Sequence, residues 1–556
     1  MPSRPVPGSR RGSGSRHGIA AFQHRSSRHR QHFGMTSDDQ TQVLIAGGGL
    51  TGLAASMLLS WQGISSILVE RHPGTSIHPR ALSYNPRTTE IFRLAGIGAA
   101  VRREELPVDG GVPRRFTSLT GAEIGMGREE GDQVEDLFEN LWERKVLIAQ
   151  SRLEPILLDR AAELGADVRF GTRMVSWSEE PDGVRAVVRD ESTGLRRVIH
   201  ADYLIAADGG RSPVRDRLGI GMHGFGTISP WVSILFQADV DDELGRRIPP
   251  VCFLDGPRVK GFLARYHDQW ALATVFEPDD EAGARLSDGR CTELVRSAFG
   301  VPELPVRLLS TLYWEVAARV ADRYRQGRVL LAGDAAHVMP TMGAFGANTG
   351  IQDAFNLSWK LAQVLRGSAG PDLLDSYEAE RRPVADTTVN QAVARYRNRL
   401  GQGPSVPLMS NFSLVFGYKY ASSAVRERPE ADQGYDEKPS GRPGTRAPHV
   451  PVAGDPGVKS TMDLFGRRFT LLAGERAERV ANATRAAAER LGVDLRVVHI
   501  GQRAGLADTD GRFLARYGIT ERGAALVRPD GVVGWRSADG DQDPEPELRA
   551  LLARTR

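Results

Sequence analysis

With 556 residues, 40% of them hydrophobic and 25% charged, the chain is globular in composition and too long for one ordinary core, so two or three domains are expected. Its net charge of +3 comes from residues 1–34, which carry seven arginines and no acid; the remainder stands at −4 and offers no electrostatic reason to expect nucleic acid. Only two cysteines occur, Cys252 and Cys291, in no CxxC or metal-type spacing, which argues against a disulfide framework or a metal site and for a reducing cytoplasm.

Residues 1–35 lack apolar periodicity and read as a disordered basic tail, with Met35 as the start of the folded protein. Residues 43–69 then run without a charge, longer than the ~20 residues a membrane span needs. Five glycines interrupt them. A strand (43–46), a tight turn (47–49), a helix stopped at Gly63 and a second strand (67–70) explain those glycines, so no membrane anchor is expected. This βαβ unit predicts a parallel sheet.

The pattern weakens over 106–145, which reads as a small insertion. An amphipathic helix follows at 152–164, then strands ending at Ala207. Residues 220–315 read mostly as strands, such as WVSILFQADV and WALATVFEP, and predict a second sheet inserted into the first domain. The chain returns with a strand at 328–333, a helix at 350–366 with apolar residues in 3,4,3 spacing, and a helical stretch at 372–400. PSGRPGTRAPHVPVAGDPG (439–457) reads as a linker. A compact α/β set follows it: strand RFTLLAG, a helix near 475–491, strand LRVVHIG, and a hairpin turning at Pro529-Asp530-Gly531.

Gly47-x-Gly49-x-x-Gly52 follows a strand, opens a helix, and is trailed by an acid, Glu70, 18 residues after its last glycine. Gly47 permits the turn, Gly49 lets backbone approach a pyrophosphate, and Gly52 lets helix pack closely on sheet. The helix N-terminus favours the anion, and Glu70 accepts from a ribose hydroxyl. The pattern predicts a dinucleotide without choosing between FAD and NAD. Two further motifs follow strands: Asp208-Gly209-Gly210-Arg211-Ser212-Pro213, and Gly333-Asp334-Ala335-Ala336-His337 with PTMGAFGANTG after it.

In this order the three motifs resemble those of the class A flavoprotein aromatic hydroxylases. The segments NPRTTEIFRLAGI, RLEPILL, LLDSYEAERRPVA and PSGRPGTRAPHV are similar to those of actinomycete hydroxylases that tailor aromatic polyketides of the anthracyclinone, angucycline and tetracenomycin types. The resemblance runs from Met35 onward. It implies an α/β fold: a Rossmann-like FAD-binding domain of the glutathione-reductase type (36–215 and 316–400) with an inserted mixed-sheet substrate domain (216–315). A helical or linker segment (401–457) then leads to a thioredoxin-like C-terminal domain (458–556), which here has no cysteine and hence no thiol redox role.

The resemblance also implies residue roles. Asp334 would meet the FAD ribityl chain, and Ala347 and Asn348 would present backbone to the isoalloxazine pyrimidine edge. A helix beginning near 349 would favour the negative charge of reduced flavin there. Thr51, Arg71, Arg80, Gln150 and Asp208 match other cofactor positions. Thr341 and Ala344 stand where the family usually has proline and glycine. Cys252 and Phe253 stand where some anthracyclinone hydroxylases carry a tyrosine proposed as proton acceptor. Arg399, His223 and His267 are the substrate-side candidates, while His337 reads as a packing residue.

The implied activity is FAD-dependent monooxygenation of a polycyclic phenolic or quinoid polyketide through a C4a-hydroperoxyflavin, with O2 and with NADPH or NADH as a transient co-substrate. A monomer or homodimer is expected, with no nucleic-acid or membrane partner. Alternatives are a flavin monooxygenase acting on a simple phenol or inactivating an aromatic antibiotic, and a ligand-binding protein on the same fold without oxidative chemistry. A plain NAD dehydrogenase predicts a catalytic constellation after the first βαβ unit, and none is found.

Overall fold

Strand Asp39–Ala46 pairs in parallel with Ser66–Val69 on one side and Arg196–Ala206 on the other, and Arg196–Ala206 pairs in parallel with Val329–Leu331. Their central apolar runs are buried on both faces, as strands covered by helices on each side must be. The computed structural model to which these strands belong describes residues 38–553 except 79, 107–113, 127–141, 241–248, 267–268, 277–284, 401–405, 427–434, 437–439 and 503–504. The basic tail, His267 and much of 106–145 therefore lie outside the described residues.

Asp167–Arg169 extends this first sheet at one edge, and Thr172–Glu180 and Gly183–Asp190 form an antiparallel arm on Arg196–Ala206. Helix α1 (Leu50–Trp61) links the first two parallel strands and is buried over residues 52–59, apolar nearly all round because helices and sheet enclose it. Helix α2 (Pro86–Leu94) starts where the Asn85 side chain accepts from Thr88 N and proline supplies the first turn. Helix α3 (Gln150–Glu163) packs on the α1 side.

The second sheet runs in the order His337–Val338, Val306–Ala321, Met222–Ala238, Gln269–Val275, Lys260–Tyr266, Val251–Asp255, Arg114–Phe116, Glu123–Met126. Two expectations change here. The segment expected as an insertion in the first domain supplies two strands to the second sheet, because Arg114–Phe116 pairs in parallel with Val251–Asp255. Strand Val306–Ala321 also crosses the expected boundary at 316 and pairs with His337–Val338, so one hydrogen-bonded strand belongs to both regions. One face of the sheet packs Val232, Ile234 and Leu272 against Leu294 and Val295 of helix α4 (Asp288–Phe299). That helix lies in a run read as strands. Its ends are nevertheless marked: Ser287 caps Arg290 N, and Gly300 stops it at φ +73°.

Helix α5 (Phe345–Leu365) begins before the expected start near 349, so Ala347 and Asn348 sit in its first turn rather than in the preceding loop. Helix α6 (Asp375–Leu400) follows. Within the stretch 439–457, expected as a linker, residues 443–448 are inside the protein, Thr445, Arg446 and Ala447 among them, and Val450 is buried too, while 453–457 are exposed. Gly444 N donates to Val533 O, Val533 N to Thr445 O and Ala447 N to Gly531 O. Backbone pairing is indifferent to composition, and here the glycines and prolines supply bends for a strap laid on the C-terminal hairpin.

The C-terminal sheet has the order Leu495–His499, Phe469–Ala473, Ala524–Val527, Val533–Ser537, with helix α7 (Glu478–Leu491) packed on it. Among the described residues no helix is long and apolar enough to cross a membrane.

Candidate functional site

The carboxyl ends of four neighbouring parallel strands face one crevice. Gly47 N donates to Val69 O (2.9 Å), Ala207 N to Ala46 O (2.8 Å) and Ala332 N to Ala206 O (2.9 Å). The residues that leave the four strands are therefore Gly47, Glu70, Ala207-Asp208 and Gly333-Asp334, side by side. This is where open parallel sheets bind ligands.

The glycines divide the labour. Gly47 has φ +107°, and a Cβ there would run into Ala207 O; a Cβ on Gly52 would run into Gly47 O. A Cβ on Gly49 would meet nothing within 4 Å. Two glycines close the turn, and the middle one opens on empty space. A Cβ on Gly333 or on Gly350 would run into Thr51 Oγ1, so α1, the Asp334 turn and α5 meet at Thr51.

The three carboxylates differ in how far the protein satisfies them. Glu70 Oε2 accepts from Gly48 N (2.7 Å), while Oε1 accepts from His72 N (2.9 Å) and meets His72 Nδ1 (2.6 Å). Burial acts to raise its pKa, but these bonds outweigh it and hold the carboxyl below its usual range. Asp208 Oδ2 accepts from Val214 N (3.2 Å), while Oδ1 is buried without a partner; burial raises this carboxyl. Arg215 ties the Asp208 turn to the Asp334 turn, donating to Gly210 O and Ala335 O at 3.1 Å each. Asp334 is exposed, yet protein surrounds it closely enough that burial raises its pKa against the pull of His337 and Arg80. A side chain both open and enclosed lines a crevice.

Helix α1 has no side-chain cap and no acid in its first turn, and neither has α5. Both N-termini therefore offer bare amides to an anion. Ala344, the residue before α5, has φ +54°, a left-handed conformation that costs a non-glycine residue about 1–2 kcal/mol. Asn348 spends its side chain on the protein: Oδ1 accepts from Asn85 N (2.9 Å), and Nδ2 donates to Ser83 O (3.0 Å) and Ala344 O (2.7 Å). Gln150 does the same, accepting from Ala81 N (3.2 Å) and donating to Glu154 Oε1 (2.7 Å). Arg71 and Arg80 are exposed, and Arg80 acts electrostatically on both Asp334 and Glu154. A half-satisfied Asp208, an open Asp334, an open glycine, exposed arginines and two bare helix ends fit a dinucleotide carrying an anionic pyrophosphate.

Sequence reasoning missed the group behind the Asp334 turn. Asp353 of α5 accepts from Gly333 N (3.2 Å), His337 Nε2 lies 2.6 Å from its Oδ2, and Arg381 Nε donates to its Oδ1 (2.8 Å). All three side chains are fully buried. Burial opposes ionisation of Asp353, but His337 and Arg381 hold its pKa below the usual value. His337 is thus a packing and anchoring residue.

The face of the second sheet opposite α4 is aromatic. Trp231 packs 5.6 Å from Trp314 and 6.0 Å from Phe262, beside Met342 and Tyr396, and its Nε1 donates to Tyr396 Oη (3.4 Å). Phe253, Phe262 and Trp314 remain half-buried. Arg399 joins them, its Cζ 3.7 Å from the Phe253 ring centroid. His223 does not. It lies near the other end of strand Met222–Ala238, exposed, between Asp322 Oδ1 (2.8 Å) and Asp386 Oδ1 (2.9 Å), because its strand register puts it opposite Val320 near the first sheet.

Residues 40–392 match the family model described as FAD binding domain, and residues 440–555 that described as aromatic-ring hydroxylase, C-terminal. The chain is 42% identical to 4-methyl-5-nitrocatechol 5-monooxygenase of Burkholderia sp, over 93% of this chain and 98% of that protein. It is 40% identical to tetracenomycin A2 monooxygenase-dioxygenase of Streptomyces glaucescens, over 93% and 97%. Among solved structures it is similar to aklavinone-11 hydroxylase in ternary complex with FAD and aklavinone, with a TM-score of 0.85, 38% identity, and coverage of 93% of this chain and 100% of that one. The chain belongs to the FAD-dependent aromatic-ring hydroxylases.

Proposed function

We propose that this FAD-dependent monooxygenase hydroxylates a polycyclic phenolic or quinoid ring of the aromatic-polyketide class, with NADPH or NADH as reductant. The observation that carries the reading is the half-open aromatic face of Phe253, Phe262 and Trp314, packed on the buried Trp231, beside the loop that leads into α5. Flat fused rings stack on such a face, and Arg399 beside it favours a phenolate or quinoid oxygen. Similarity to proteins named for tetracenomycin A2 and aklavinone supports the same substrate class.

Bound FAD supplies the activation of O2 for oxygen transfer to an electron-rich ring. The chain's own residues bind and orient. Gly47, Gly49 and Gly52 with the α1 N-terminus take the pyrophosphate, Glu70 accepts from a ribose hydroxyl, and Asp334 accepts from the ribityl chain. Thr51, Arg71, Arg80 and Asp208 complete the cradle, and Gln150 holds the Ala81 backbone beside it. The first-turn amides of α5 at Ala347 and Asn348 stabilise negative charge on the ring system. The substrate's own hydroxyl donates electrons, so no protein nucleophile is needed.

The 42% identity to a nitrocatechol monooxygenase supports a second reading, a monocyclic substituted catechol. The test is NADPH and NADH oxidation with tri- and tetracyclic phenols against simple phenols and nitrocatechols, with product mass measured under ¹⁸O2. Stimulation by polycyclic phenols and gain of labelled oxygen are expected. Stimulation by monocyclic phenols alone would replace the polycyclic reading.

A further inference from the structure

The loop of the C-terminal hairpin, between Ala524–Val527 and Val533–Ser537, enters the FAD-binding domain among α2, α5 and α6. Arg528 forks onto Glu380 of α6 (Nη1–Oε1 2.6 Å, Nη2–Oε2 2.8 Å), and its Nε donates to Asp530 Oδ1 (3.0 Å). Glu380 Oε2 also takes Lys360 Nζ (2.8 Å) and Asn356 Nδ2 (2.7 Å), both from α5. Asn356 Nδ2 reaches Asp530 Oδ2 (3.1 Å), and Arg87 of α2 donates to the Asp530 carbonyl. Arg528, Glu380 and Lys360 are completely buried. Ion pairs this deep contribute little net stability compared with apolar side chains, but removing one partner leaves a stranded charge. What such a cluster supplies is placement.

Asp353, Asn356 and Lys360 follow one another at spacings of three and four and so share a face of α5. Asp353 holds the Asp334 turn through Gly333 N and His337. Asn356 and Lys360 are held by the hairpin and Glu380. Arg381, next to Glu380 on α6, closes the circuit on Asp353 Oδ1 and on Thr349 O (3.3 Å). We propose that Arg528 and Asp530 of the C-terminal domain are positioning residues for the flavin site. They set the placement of α5 along and about its axis, and with it the Asp334 turn and the backbone of Ala347 and Asn348. The C-terminal domain is thereby a component of the cofactor site. The proposal rests on the assignment of the crevice to FAD.

The test uses the full chain, deflavinated and titrated with FAD, with the visible circular dichroism of the bound flavin recorded at saturation. Asp530→Asn is compared with Leu491→Ala, which empties a site in the C-terminal core on α7 and controls for lost domain stability. Asp530→Asn is expected to raise the FAD Kd about tenfold, the scale of one lost hydrogen bond to a charged group, and to change the flavin dichroism. Leu491→Ala, at equal or greater loss of Tm, is expected to leave the Kd within about twofold. Should Asp530→Asn fail to fold, Arg528→Lys is read in the same way, since it keeps the charge and loses the fork; a Kd about threefold higher is then expected. Equal weakening by Leu491→Ala, or an unaltered Kd and dichroism in the hairpin variant, overturns the proposal. A wild-type chain that binds no FAD would reject the flavin assignment itself.

Discussion

At its N-terminal end α5 borders a crevice where Asp208 Oδ1 has no partner, Asp334 accepts no hydrogen bond among the described residues, and the helix is uncapped. Farther along the same helix, at the C-terminal hairpin, each ion has an oppositely charged partner: Arg528 and Lys360 on Glu380, Asp530 on Arg528, and Arg87 and Arg446 on Glu90. An enclosed polar group without a partner costs about 1–3 kcal/mol. The crevice leaves carboxylate charge to be met by its ligand, whereas the charges of the hairpin cluster are met within the folded chain, even though Asn356 Oδ1, Arg87 Nε and Arg446 Nη1 have no hydrogen-bond partner there. Substitutions in the first region should therefore move ligand affinity with little change in stability, and substitutions in packed regions should move stability, with affinity following only where the packing positions the crevice.

Glycines of one turn give the sharpest contrast. In Gly52→Ala the new Cβ collides with Gly47 O, and a loss of at least about 3 kcal/mol is expected, seen as a lower Tm together with loss of FAD. Asp334→Ala should do the reverse. FAD affinity is expected to fall about 100-fold, up to the worth of a charged hydrogen bond, while the apoprotein Tm does not drop, because an exposed carboxylate that accepts no hydrogen bond among the described residues has been removed. A parallel loss of Tm would mean that Asp334 serves the fold. Gly49→Ala meets no protein atom within 4 Å, so its melting curve should match wild type. FAD binding should weaken about tenfold as the methyl group obstructs the pyrophosphate.

The smallest effect is expected at His223, outside both regions. Asp322 and Asp386 raise its pKa above the ordinary 6.5. The stabilisation is therefore full below that value and is lost as pH rises through the higher folded-state pKa. Since the ring is 47% exposed, His223→Asn should cost about 0.5 kcal/mol or less at pH 6 and nothing by pH 9. Stability curves against pH for the two proteins would show it, and a gap that widened toward alkaline pH would contradict the sign.

The nucleotide turn was legible because its parts are local. Gly47, Glu70, Asp208 and Asp334 each stand directly after a short apolar strand, and the order of residues there sets the backbone path. Strand Arg114–Phe116 was not legible, since three residues carry too little periodicity and its pairing partner begins at Val251. Composition misread the middle of 439–457, where glycine and proline bend a strap that is buried over 443–448 rather than free a linker. His223 reads as a substrate-side histidine from its place in a strand-rich segment, and only strand register shows that it stands at the end of its strand near the first sheet.

By itself, then, the chain's residue order determined a parallel α/β nucleotide fold, the three turns that line its crevice, and a C-terminal domain without thiol chemistry, all of which depend on backbone geometry and composition over short stretches. Which polar groups are spent and which stay open was decided only in three dimensions. Asp353 meets His337 and Arg381 across 16 and 28 positions, and Arg528 meets Glu380 across 148. A side chain's solvation depends on what packs against it from elsewhere in the chain, and no local pattern carries that information.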